Sequence, residues 1–150
     1  MSSSIRPLDW ATIATDCARL AALLAARAPV RGIIAVARGG LIPAALIAQH
    51  LDIRVIRTVS LSSYDAQRQQ TSTPQLRDVL PLDSDGAGWL VIDDLVDSGA
   101  TFASLRHWWP AATYACLYAK PDGEKTANIF VESIAQQVWI AFPWEKNVSD

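Results

Sequence analysis

Three aspartates, Asp93, Asp94 and Asp97, stand within five positions of one another in WLVIDDLVDSGAT (89–101), directly behind an apolar run. Carboxylates about 4 Å apart repel by about 4 kcal/mol at an effective dielectric near 20, so stability alone does not gather them. An acid pair can bind sugar hydroxyls or a hard, oxygen-loving cation such as Mg2+. Behind the pair, Ser98, Gly99, Ala100 and Thr101 lead into a helix start. Its free N–H groups and dipole favour an anion, and Gly99 lets the backbone approach closely. An acid pair beside an anion cradle describes a site for a phosphorylated sugar with its metal. Helix capping would explain one aspartate of the three, but not the string.

A second unusual stretch, ARGG (37–40), supplies a cation and flexible backbone. Both stretches follow strand-like runs and precede helices. GIIAVA (32–37), the nearly alternating IRVIRTVSLS (53–62), WLVID (89–93) and TYACLYA (113–119) read as strands, and TANIFVES and QQVWIAF add one or two more. LDWATIATDCARLAALLAAR (8–27) has helical spacing with Asp9 placed to cap it. LIPAALIAQHL (41–51) has Pro43 in its first turn, and TFASLRHWW (101–109) is stopped by Pro110. The pattern is α/β: a mainly parallel sheet flanked by helices, with ligands beyond the carboxyl ends of the strands. Residues 63–88 are polar, and a structureless stretch of that length within a domain is functional or disordered.

The composition bounds the alternatives. With 150 residues, 51 % hydrophobic and 19 % charged, the chain has the length of one domain and can bury a core. A net charge of −2 and a pI near 5.6 argue against a nucleic-acid-binding surface. The N-terminus lacks a signal-peptide pattern, and no apolar run is long enough to span a membrane. Cys17 and Cys116 belong to no CxxC pair and read as buried thiols; His50 and His107 read as isolated surface or capping residues. Trp10, Trp89, Trp108 and Trp109 read as core or interface residues.

VIDDLVDSGAT resembles the ribose-phosphate signature of the type I phosphoribosyltransferases, and the remaining motifs are similar to those of its bacterial xanthine-guanine branch. GIIAVARGGLIPAALIA matches the first loop, SSYD opens the mobile loop, AKP (119–121) follows the fourth strand, and WIAFPWE (139–145) fits the purine-covering segment. The likeness runs from about residue 10 to 145, with the motifs in order. It implies a single domain with the type I fold, a lid over about 63–88 and a small hood over about 120–150.

The implied reaction joins a 6-oxopurine (guanine or xanthine, with hypoxanthine a further acceptor) to C1′ of phosphoribosyl pyrophosphate (PRPP), releasing pyrophosphate. By resemblance, Asp93 and Asp94 hold the ribose hydroxyls and Mg2+, and Ser98, Gly99, Ala100 and Thr101 cradle the 5′-phosphate. Asp97, the catalytic residue, lies beside the ribose and purine and exchanges the N7 proton. Arg38, Gly39 and Arg68 contact the pyrophosphate, with a non-proline cis peptide placed between Arg38 and Gly39. Ser63 and Tyr64 belong to the lid. Lys120 donates to the purine O6, Trp139 stacks on the base, and the Ile140 backbone reads the opposite edge. Ala100 stands where the nearest relatives have glycine, and Glu145 where aspartate is usual.

The resemblance further implies a homo-oligomer, dimer or tetramer, in the cytoplasm, with peripheral inner-membrane association as a family trait. Two other readings stay open: a hypoxanthine-preferring enzyme, and a regulator of the same fold that senses PRPP and binds nucleic acid. The acidic pI counts against the second.

Overall fold

The computed structural model describes residues 4–27, 29–62, 75–77 and 84–146. The elements follow in the order β1 (Ile5–Pro7), α1 (Trp10–Ala25), β2 (Gly32–Ala37), α2 (Leu41–Leu51), β3 (Ile56–Ser62), β4 (Gln75–Arg77), β5 (Trp89–Val96), α3 (Ala100–Leu105), β6 (Thr113–Ala119), a 3-10 turn (Glu124–Thr126), β7 (Ile129–Ser133) and β8 (Trp139–Ala141). Six strands form one sheet in the order β4-β3-β2-β5-β6-β7. All pairs in it are parallel except β3–β4. The α/β expectation holds.

Burial on both faces explains the uniformly apolar strands. From β2, Ile33 and Ala35 join Ile13, Leu20 and Leu24 of α1 and Ile47 of α2, whereas Ile34 and Val36 join Phe102, Leu105, Trp109 and Tyr114 on the α3 side. α1 starts where expected: Thr12 N–H donates to Asp9 Oδ1 at 2.7 Å. Its buried Ile13, Cys17, Leu20 and Leu24 recur at helical spacing along one face. Truncating Leu20 or Leu24 to alanine would cost about 2–5 kcal/mol, the usual range for a fully buried leucine.

Several expectations shift. β5 runs to Val96, three residues past the expected end, because Leu95 and Val96 still pair with Tyr118 and Ala119 of β6. α3 is shorter than expected, and Trp108 falls beyond it, 45 % exposed. Trp89 and Trp109 are in the core; Trp10 is 53 % exposed. Residues 84–88, at the end of the expected lid range, form the turn into β5, where Ala111 N–H donates to the Asp85 carbonyl at 3.0 Å. β4 lies within the same range and extends the sheet. β7, within the expected hood, is the opposite edge strand.

The N-terminal strand β1 has no sequence signal. It pairs in parallel with β8 in a separate two-stranded sheet. Arg6 anchors this pair through two hydrogen bonds to Glu132 of β7, at 2.7 and 3.1 Å. Phe142 stacks on Trp144 at 4.7 Å, and Trp10 leans on the same ring at 5.9 Å. β8 is thereby held over the carboxyl end of the main sheet by residues from the start of the chain.

Candidate active site

The crevice opens where β2 and β5 lie side by side, since α2 carries the chain toward β3 and α3 carries it the other way toward β6. In such sheets the connecting loops part at this point and leave room for a ligand. Arg38, Gly39 and Gly40 turn the chain out of β2. A Cβ on Gly39 would strike the Asp94 carboxylate, and one on Gly40 would strike the carbonyl oxygens of Ile92 and Val36. The ARGG loop is therefore pressed against β5 in a way that only glycines permit. Arg38 is exposed at its tip. The cis peptide lies between Ala37 and Arg38, one bond earlier than expected. The reversal begins as β2 ends, with Gly40 N–H donating to the Val36 carbonyl and Leu41 N–H to that of Arg38.

Asp93 and Asp94 interrupt β5 from within. The Asp94 N–H donates to Asp93 Oδ1 at 2.8 Å and the Leu95 N–H to Asp94 Oδ1 at 2.7 Å. Such local bonds compete with the sheet ladder. Leu90 and Ile92 face one core cluster and Val91 the other, yet Leu95 returns to the first and Val96 to the second, so strict alternation fails across the two acids. The result is divergent side chains: Asp93 lines one cavity and Asp94 another.

Burial and the adjacent Asp94 carboxylate hold the Asp93 carboxyl well above the ordinary aspartate range, and burial raises that of Asp94. Two desolvated, mutually repelling acids gain from a cation beside them. Among the described residues no group of three or more acidic, histidine or cysteine side chains forms a metal-binding cluster. Two carboxylates suit Mg2+, which is commonly held by one or two protein carboxylates together with substrate phosphate oxygens and water.

The cavity beside Asp93 holds about 130 Å³ and is lined by Asp97, Ser98, Gly99, Ala100 and Thr101 among others. Gly99 sits at φ +86°, and a Cβ there would meet Thr126 and Gly123. Ser98 Oγ accepts from the Ala100 N–H at 3.3 Å, and Ala100 is the first residue of α3, a conformation alanine adopts freely. The cradle is built mostly of backbone.

The cavity beside Asp94 holds about 210 Å³, and its lining includes Asp97, Lys120, Trp139, Ile140, Phe142 and Glu145. All four residues expected around a base thus meet in one place. Lys120 leaves β6 with only 4 % of its surface exposed. Its Nζ lies 3.4 Å from Asp97 Oδ2. Trp139 is 59 % exposed, leaving its ring available for stacking, whereas Ile140 is buried. The Glu145 carboxylate accepts from the Phe142 N–H at 3.4 Å, so it closes its own turn.

Ser63, Tyr64 and Arg68 lie outside the described residues. Three contributors escaped the sequence reading. Gly40 stands in the recognised ARGG, but only the packed backbone shows its necessity. A Cβ on Gly123 would strike Val96, the Asp97 carbonyl and Gly99 N. Gln136 donates from Nε2 to Asp97 Oδ1 at 2.7 Å, and nothing in QQVW marks it.

A mainly parallel sheet with an acid pair and a small cavity at its carboxyl edge places the chain among the α/β folds that carry a ligand site there. The phosphoribosyl transferase domain model matches residues 8–148, and the chain belongs to that family. It is 43 % identical over 142 residues to the xanthine-guanine phosphoribosyltransferase of Nitratidesulfovibrio vulgaris (strain DP4), covering 95 % of this chain and 85 % of the relative. Its structure is similar to that of the purine phosphoribosyltransferase from Pyrococcus horikoshii (TM-score 0.77, 26 % identity, 96 % and 95 % of the two chains). The fold is shared with Helicobacter pylori xanthine-guanine-hypoxanthine phosphoribosyltransferase (TM-score 0.74, 20 % identity, 94 % and 93 %). No helix among the described residues is long and apolar enough to cross a membrane.

Proposed function

We propose that the chain transfers the 5-phosphoribosyl group of PRPP to guanine and xanthine, with hypoxanthine a further acceptor, giving the nucleoside monophosphate and pyrophosphate. One observation carries the base assignment: the buried Lys120 ammonium and the Asp97 carboxylate, 3.4 Å apart, line a single cavity with Trp139. The ammonium is a donor only and matches a 6-oxo group. The carboxylate matches the neighbouring N7–H. Trp139 offers the ring that stacks on the purine, and Ile140 closes the far edge.

Ser98, Gly99, Ala100 and Thr101 receive the 5′-phosphate through N–H groups and hydroxyls. Asp93 and Asp94 hold the ribose hydroxyls and would hold Mg2+, which when bound supplies charge neutralisation for the leaving pyrophosphate. Arg38 and Gly39 contribute to the pyrophosphate side, and Arg68 with Ser63 and Tyr64 to the lid that excludes water. The active form is a homo-oligomer in the cytoplasm. Steady-state assays with PRPP and each of guanine, xanthine, hypoxanthine and adenine test the assignment. Turnover of the oxopurines with loss of activity in excess EDTA is expected; full turnover in EDTA, or nucleotide from none of the oxopurines, would refute it.

A further inference from the structure

Asp97 has little burial to hold it: its side chain is 58 % exposed, and exposed side chains change rotamer on the ps–ns timescale. Its carboxylate is nevertheless engaged at both oxygens. Oδ2 faces Lys120 Nζ at 3.4 Å, whereas Oδ1 accepts from Gln136 Nε2 at 2.7 Å. A charge-assisted N–H···O bond is usually about 2.7–2.9 Å. The lysine contact is therefore slack and the amide contact tight. Gln136 is itself fixed, because its Oε1 accepts from the Asp122 N–H at 2.9 Å. These partners assign the amide: flipped, it would set oxygen against carboxylate and NH2 against N–H. Gln136 lies between β7 and β8. One amide thus joins the loops after β5 and β6 to the strand that carries Trp139 and Ile140.

We infer that Gln136 is a positioning residue for phosphoribosyl transfer, holding the Asp97 carboxylate in register with the base cavity and leaving Oδ2 to exchange the N7 proton. The inference rests on the role given to Asp97 above. A donor on Oδ1 stabilises negative charge there, so the proton goes to the other oxygen. As the base nitrogen bonds to C1′, the C1′–O bond breaks and pyrophosphate leaves with its electron pair. The N7–H electrons return to the ring while the proton passes to Oδ2. The neutral amide orients the carboxylate without adding charge to a cavity that already has Asp94, Glu145 and Lys120 in its lining. When Lys120 turns to the purine oxygen, Asp97 keeps its second anchor.

Two substitutions separate positioning from mere bridging. Gln136→Leu removes both hydrogen bonds. It should lower kcat roughly 10- to 100-fold, the worth of a hydrogen bond to a charged group, with KM for PRPP within about twofold. Gln136→Glu keeps an acceptor for the Asp122 N–H, so the turn survives, but donates to Asp97 only while the introduced carboxyl is protonated. Its kcat should approach the parent value at low pH and fall as that carboxyl ionises, with a melting temperature that matches the parent while the carboxyl is protonated and falls as it comes to repel Asp97. Parent-like kcat in both variants would overturn the inference. So would a slow Gln136→Leu beside a Gln136→Glu that follows the parent at every pH, since bridging to Asp122 alone would then suffice. A parent enzyme that makes no nucleotide from guanine and PRPP would overturn the functional reading itself, a distinct result.

Discussion

The two cavities at the carboxyl edge of the sheet are built by different means. The one beside Asp93 is shaped by backbone: Gly99 in a left-handed conformation, the start of α3, and the close approach of Gly123. The one beside Asp94 is shaped by side chains drawn from three separate segments: Asp97, Lys120, and Trp139 with Ile140. Backbone N–H groups recognise any phosphate, and most substitutions leave them in place, the exceptions being a proline, which removes the donor, and the loss of a glycine whose conformation the turn needs. Side chains read one particular base and can be changed singly. On the proposed function, the common half of the substrate would meet the part of the protein least open to variation.

The sharpest test of this division is base choice. Parent enzyme should prefer guanine and xanthine over adenine by roughly 10⁴-fold in kcat/KM, because a 6-amino group leaves the Lys120 ammonium facing a donor. Lys120→Met should depress kcat/KM for both oxopurines steeply and leave PRPP binding almost intact. Adenine used as well as guanine by the parent would break the comparison. Next, Asp97→Asn should lower kcat by roughly 10²–10⁴, the usual worth of general acid–base catalysis. Its melting temperature should hardly move, since the side chain is 58 % exposed. A large fall in stability with near-normal kcat would make Asp97 a structural residue.

On the other side, Gly99→Ala forces a Cβ into a left-handed residue at φ +86°. At roughly 1–2 kcal/mol for that conformation, about a tenfold rise in KM for PRPP is expected, with the guanine-to-xanthine ratio unchanged. A shift in that ratio would show the two cavities to be coupled. The smallest effect concerns the acid pair. Asp93 is raised above its ordinary value of 3.8 by burial and by Asp94, so ionisation favours the unfolded chain. Its contribution is full below that value and lost as pH climbs through the folded pKa. The metal-free Asp93→Asn variant should match the parent in acid and melt higher than the parent at neutral pH. Mg2+ should narrow the gap, and thermal scans with and without Mg2+ measure both.

The sequence made the strands and the acid string legible because doubly buried strands are uniformly apolar and clustered carboxylates are conspicuous. Lys120 and Trp139 were legible only through resemblance, since an isolated lysine or tryptophan has no local signature. Gln136 was not legible at all: its role arises from three loops meeting, which residue spacing does not encode. β1 was missed for a similar reason, as Ile5–Pro7 carry no strand pattern and their partner is at the far end of the chain. The strand was expected to end at Asp93, with Asp94 past it, because a central strand seldom tolerates acids, yet the pairing with β6 continues beyond both.

That β1–β8 pairing has a kinetic consequence. Two three-residue strands from opposite ends of the chain must close a very long loop before either gains a hydrogen bond, whereas β2, α2 and β3 meet as neighbours. Loop entropy places such a contact late in folding. The cavity beside Asp93, set within the β5–α3–β6 unit, can be complete while Trp139 and Ile140 still hang free. The same order in reverse makes the clasp the first part of the described fold to open. Amide hydrogens of β1 and β8 should then exchange faster than those of β5, and the cavity beside Asp94 would breathe while the one beside Asp93 stays shut.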